Sequence, residues 1–139
     1  MRKILLITHR TLATGLRDAL VFFTNLPDQI IAIPCYINEN NEFPRKEVEK
    51  ELSTTSSEDD IIIMTDLLSG SVNQNVSKYM GSHRFVITGI NLALAMSILL
   101  DPADHLTSEH IEALIDKARQ QMVLMNTYSN NDAICVNDE

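Results

Sequence analysis

Cysteine is scarce, with Cys35 and Cys135 alone in 139 residues, and the two have no Cys-x-x-Cys spacing. Neither a disulfide framework nor a thiolate metal knuckle is expected, only reduced thiols that bind nothing. The four histidines, His9, His83, His105 and His110, form no recognisable metal pattern with them, so no metal is expected. Basic side chains are also few, 11 against 19 acidic, for a formal net charge of -8. That balance works against a polyanionic surface, so neither nucleic acid nor an anionic membrane is an expected partner. Long apolar runs are missing too. Met1-Arg2-Lys3 precedes only Ile4 to Ile7, too short for a signal-peptide core or a membrane span, and a cytoplasmic protein without membrane insertion is expected. There is no Gly-x-x-x-x-Gly-Lys-Ser/Thr loop and no Gly-x-Gly-x-x-Gly turn, hence no sign of a bound nucleotide or other cofactor. No nucleophile elbow or Cys–His pairing points to acyl transfer.

What is present is an ordinary globular composition, 45% hydrophobic and 22% charged, at a length that suits one domain over 1–139. Short continuous apolar runs read as strands buried on both faces: Ile4 to Ile7, Ile30 to Ile33, and Ile61 to Met64 opened by Asp59-Asp60. A fourth strand spans Arg84 to Thr88. Between them lie helical patterns. Leu12, Leu16, Ala19, Leu20 and Phe23 recur at helical spacing with Thr11 placed as the cap; a short helix begins near Pro44, and another covers about Asn73 to Met80. An apolar helix from Leu92 to Leu100 stops at Asp101-Pro102, and Thr107-Ser108-Glu109 begins an amphipathic helix to about Met125. The tail from Asp132 to Val136 suits one more strand. Alternating strands and helices predict a three-layer α/β/α fold with a mostly parallel sheet.

In such sheets chemistry sits beyond the carboxyl ends of the strands. Three polar clusters fall there: Thr8-His9-Arg10, Asp66 with Ser69-Gly70-Ser71, and Thr88-Gly89-Ile90-Asn91. They converge on one edge if the first, third and fourth strands are neighbours. A neutral imidazole is a competent nucleophile near neutral pH, provided its other nitrogen carries the proton and is held by an acceptor. Asp66 is the best-placed acceptor for His9, by the logic of a hydrolase triad. Ser69-Gly70-Ser71, ahead of a helix, can offer N–H groups and hydroxyls to a phosphoryl oxygen. Plainer roles stand beside these: Asp66 as a turn cap, the serines as a helix cap, Asn91 as a turn residue. His83, His105 and His110 read as exposed residues of connections and a helix surface, and Met96, Met122 and Met125 as core filler or contact surface.

Three ordered motifs carry a resemblance. Ile4-Leu5-Leu6-Ile7-Thr8-His9, Met64-Thr65-Asp66-Leu67-Leu68-Ser69-Gly70-Ser71 and Val86-Ile87-Thr88-Gly89-Ile90-Asn91-Leu92 are similar to segments of the enzyme IIA component of the mannose/fructose/sorbose class of the bacterial phosphoenolpyruvate-dependent sugar phosphotransferase system. The resemblance implies that His9 accepts a phosphoryl group from the carrier protein HPr and passes it to a histidine of an enzyme IIB. It also implies that Asp66 holds the ring and that the Gly70-Ser71 loop, with Ser69, receives the phosphoryl oxygens. A homodimer exchanging a C-terminal strand, within 127–139, is implied as well. The chain departs from the pattern at Arg10, where a small residue is usual, at Ser69 in place of the first of two glycines, and at Val72 and Ala93, where prolines are common; none removes a group that does chemistry. Related readings are the phosphocarrier subunit serving dihydroxyacetone kinase, whose aspartate loop is less similar, a regulatory module signalled by His9, and an α/β interaction protein without phosphorylation.

Overall fold

Apolar segments with side chains alternating to two faces pair most stably when both faces are covered, and four strands pair in this way here. In the computed structural model, which describes residues 1–38 and 41–128, β1 (Arg2–His9), β2 (Ile30–Cys35), β3 (Asp60–Thr65) and β4 (Arg84–Thr88) form one sheet in the order β2-β1-β3-β4. Every pairing among the described residues' strands is parallel. The strand expected over 132–136 lies outside the described residues.

Parallel neighbours require crossovers, and helices supply them: α1 (Leu12–Thr24), α2 (Arg45–Ser53), α3 (Ser71–Val76), α4 (Leu92–Leu99) and α5 (Ser108–Arg119). Ile4, Leu6, Ile62, Met64 and Ile87 point to the face covered by α1, α4 and α5. Leu5, Ile7, Ile61 and Ile63 point the other way, onto Val48 and Leu52 of α2 and Val72 and Val76 of α3. β1 and β3 are therefore the innermost strands, and Ile4 to Ile7 and Ile62 to Met64 are wholly buried. The chain winds from β1 to β2 on one side and returns to β3 on the other, so the winding reverses between β1 and β3.

Several expected boundaries shift. Thr11 does not cap α1; the buried Thr8 hydroxyl accepts from the Ala13 N–H at 2.7 Å instead, because Arg10 turns left-handed (φ 55°) and brings the end of β1 under the helix. The helix expected over Asn73 to Met80 starts earlier, at Ser71, and tightens into a 3-10 turn over Ser77–Tyr79. α5 is capped by Thr107, whose hydroxyl accepts from the His110 N–H, but stops at Arg119 rather than near Met125. Ala118 is its last buried residue, and Met122 beyond it finds no core and stands exposed. Among the described residues no helix is long and apolar enough to cross a membrane.

Candidate functional site

The reversal between β1 and β3 leaves an open crevice at their carboxyl ends, and the last residue of β1 and the first residue after β3 face each other across it. The backbone N–H of His9 donates to Asp66 Oδ2 at 2.8 Å, and His9 Nδ1 lies 2.9 Å from Oδ2 and 3.1 Å from Oδ1. The Leu67 N–H donates to Asp66 Oδ1 at 3.0 Å. Burial opposes the charge on Asp66, but the His9 backbone N–H and ring outweigh it, and the carboxyl is held below the usual carboxylate range. An ionised Asp66 accepts a proton-bearing Nδ1, which fixes the tautomer and leaves Nε2 with its lone pair. Nε2 makes no hydrogen bond among the described residues, and the ring keeps 35% of its surface open.

The loop after Asp66 is braced from below. The buried Thr65 hydroxyl donates to Asn73 Oδ1 at 2.9 Å, and the Asn73 amide donates to the Leu68 carbonyl at 3.0 Å. Gly70 closes a turn, its N–H on the Leu67 carbonyl at 3.1 Å, and packs so tightly that an added Cβ would lie 3.1 Å from His9 Cε1. Ser69 is exposed at the tip of this loop, and Ser71 opens α3, where first-turn N–H groups have no intrahelical acceptor. The structure thus brings His9, Asp66, Gly70 and Ser71 together. The third cluster sits alongside without joining them: Gly89 takes a positive φ of 82°, Ile90 donates to the Thr65 carbonyl, and Asn91 caps α4 by accepting from the Leu94 N–H.

Tyr36 was not singled out from the sequence. Register places Cys35 beside His9, so the next residue, left-handed at φ 60°, swings its ring to 5.5 Å from the imidazole. Its hydroxyl meets Ser71 Oγ at 2.8 Å, and its carbonyl accepts from Arg10 Nη1 at 2.7 Å. An aromatic directly after a strand that neighbours the histidine's strand was the available signal, but it becomes readable only once the strand order is known. Cys35, beneath this wall, is buried, and burial, with Asp66 and Glu47 nearby, pushes its thiol up to about 12.

A parallel α/β protein with a carboxylate-oriented histidine at its switch point is the class defined by this fold and site. The chain belongs to the family described as PTS system fructose IIA component, whose model matches residues 3–116, and so is an enzyme IIA component of a sugar phosphotransferase system. Solved structures share the fold. One described as a phosphoenolpyruvate-dependent sugar phosphotransferase system permease, from Klebsiella pneumoniae, superposes with a TM-score of 0.79 at 23% identity, covering 90% of this chain and 91% of that one. The phosphotransferase component EIIA of Streptococcus agalactiae gives 0.72 at 21%, covering 91% and 99%. The mannose/sorbose-specific IIA subunit of Enterococcus faecalis gives 0.68 at 16%, covering 88% and 93%. Comparison with curated proteins found no match.

Proposed function

We propose that His9 is the phosphoryl carrier, taking the group from the phosphohistidine of HPr and delivering it to a histidine of an enzyme IIB. The observation that carries this reading is the pair of contacts from His9 Nδ1 to Asp66, with Nε2 on a partly open ring and without a hydrogen bond among the described residues. In the forward step the Nε2 lone pair forms a bond to phosphorus as the donor's N–P bond breaks, and the donor nitrogen keeps the electron pair. Nδ1–H stays on Asp66 throughout, so the ring's developing positive charge faces a fixed carboxylate. Transfer to the acceptor reverses the roles. The phosphoryl oxygens fall toward Ser69 and the opening turn of α3 at Ser71, since the Gly70 N–H is already engaged with Leu67. Donor and acceptor approach the same nitrogen, so the two partners exclude one another.

The test is incubation of the purified protein with phosphoenolpyruvate, enzyme I and HPr, read by intact mass. One added, acid-labile phosphoryl group on the wild type and none on His9→Ala supports the reading; equal labelling of both proteins, or of neither, sinks it. Asp66→Asn should still fold but take up phosphoryl on the order of 10²-fold more slowly, because the amide cannot supply the charge that holds Nδ1–H.

A further inference from the structure

A second histidine–carboxylate cluster lies at the opposite end of the sheet. Asp60, the first residue of β3, is 1% exposed, and a buried carboxylate is costly unless its oxygens are used. Oδ2 accepts the Leu106 N–H at 2.8 Å. Oδ1 faces two imidazoles, with His83 Nδ1 at 2.9 Å and His105 Nδ1 at 3.4 Å. The two rings are 5.0 Å apart between centroids. Sequence spacing relates neither histidine to Asp60; chain reversal before β4 and the connection from α4 to α5 bring both onto it.

We propose that Asp60, His83 and His105 form a binding site for Zn²⁺. One donor atom from each residue lies within 4.8 Å of the other two. Ligands ~2.0–2.2 Å from a tetrahedral zinc are about 3.3–3.5 Å from one another; the two nitrogen–carboxylate separations, 2.9 and 3.4 Å, are near that spacing, and the two imidazole donors, within 4.8 Å of each other, would draw together on the ion. Two imidazoles and a carboxylate are a borderline donor set suited to zinc and unlike the all-oxygen cages of calcium or magnesium. The Leu106 N–H on Oδ2 orients the carboxylate from behind, as outer partners do for metal ligands. Both imidazole side chains are partly open, 36% for His83 and 52% for His105, which gives an ion entry and leaves a fourth position for water. The site is independent of His9: at ~3.3 Å per strand residue, Asp60 stands about 20 Å from Asp66 along β3. A bound ion would clamp three segments, the start of β3, the turn before β4 and the connection preceding α5.

The untagged full chain should be titrated with Co²⁺, then Zn²⁺, alongside His83→Asn, His105→Gln and His9→Ala. Asn is chosen because position 83 is left-handed (φ 62°), a conformation it tolerates. One equivalent of Co²⁺ is expected to give an intense tetrahedral visible band that Zn²⁺ displaces. Affinity should fall at least about tenfold in His83→Asn and in His105→Gln, and remain unchanged in His9→Ala. Zn²⁺ should also raise the unfolding midpoint of the wild type and of His9→Ala, but not of the doubly substituted His83→Asn/His105→Gln chain. A weak octahedral Co²⁺ spectrum would overturn the proposal and leave the cluster a hydrogen-bonded strut; so would loss of the band in His9→Ala, or a Zn²⁺ shift undiminished in the double variant.

Discussion

A methyl group at position 70 would sit 3.1 Å from His9 Cε1, 3.2 Å from Leu67 Cβ and 3.3 Å from the Leu67 carbonyl oxygen. The backbone side of that gap cannot yield, so the imidazole would give way by a few tenths of an ångström, against its bonds to Asp66. Gly70 has an ordinary φ of -76°, which alanine adopts freely, so the cost falls on alignment rather than folding. Gly70→Ala should therefore slow phosphoryl uptake about tenfold in a rapid-quench single turnover while leaving the urea midpoint nearly unchanged; an unaltered rate would show that the ring does not depend on this contact. Asp66 adds a pH signature. Its folded titration lies below the ordinary value of about 3.9, so its contribution to stability is complete above that value and is lost as pH falls through the lower folded one. Urea unfolding at several pH values should give a wild-type advantage over Asp66→Asn that is constant near neutrality and shrinks only below about pH 4. An advantage lost instead between pH 6 and 7 would place the titration on another group. Cys35, with its thiol pushed up to about 12 and no exposure, should resist iodoacetamide at pH 8 until the protein is denatured.

α4 ends against the guanidinium of Arg2, which donates to the carbonyls of Ile98 and Asp101 at 2.8 Å each and of Ala103 at 2.6 Å. Three carbonyls at a helix end thus meet one forked cation, favourable for both hydrogen bonding and the helix dipole. Arg2→Ala should cost about 2 kcal/mol in chemical unfolding, with Arg2→Lys recovering only part because an ammonium cannot span the fork. A loss within error would mean water replaces the guanidinium without penalty. No sequence pattern announces this contact, and the contrast with the strands explains what was legible. Ile4 to Ile7 and Ile61 to Met64 declare themselves because burial on both faces removes every polar residue from the run, a local signal. His9 and Asp66 were readable for the same reason, each marking where such a run ends. Tyr36, Arg2, and the meeting of Asp60 with His83 and His105 depend on strand order and loop paths, which no local spacing encodes. The cap of α1 was missed because the left-handed turn at Arg10 hands Thr11's role to Thr8.

Seen whole, the molecule keeps its polar chemistry at the two ends of the sheet and leaves apolar surface beyond α5. Met122 is 82% exposed and Leu124 65%, and on α1 Phe22 is 81% exposed. Met122 and Leu124 are near neighbours in the chain, and clustered apolar side chains of that size mark a surface that another one covers. A homodimer, which the family resemblance implies, would supply such a cover, since a two-fold interface needs only a self-complementary patch. The chain should then run in light scattering at twice its own mass, with a thermal midpoint that rises with protein concentration. Placing two charges on the patch, Met122→Lys with Leu124→Lys, should shift the protein to monomer at micromolar concentration, because each ammonium would have to be desolvated in the interface. The same variant should still accept a phosphoryl group, since its substitutions lie outside the His9 site. A double variant that remains dimeric would move the interface away from 122–124, and one that turns monomeric and loses phosphoryl uptake would tie assembly of the pair to completion of the site.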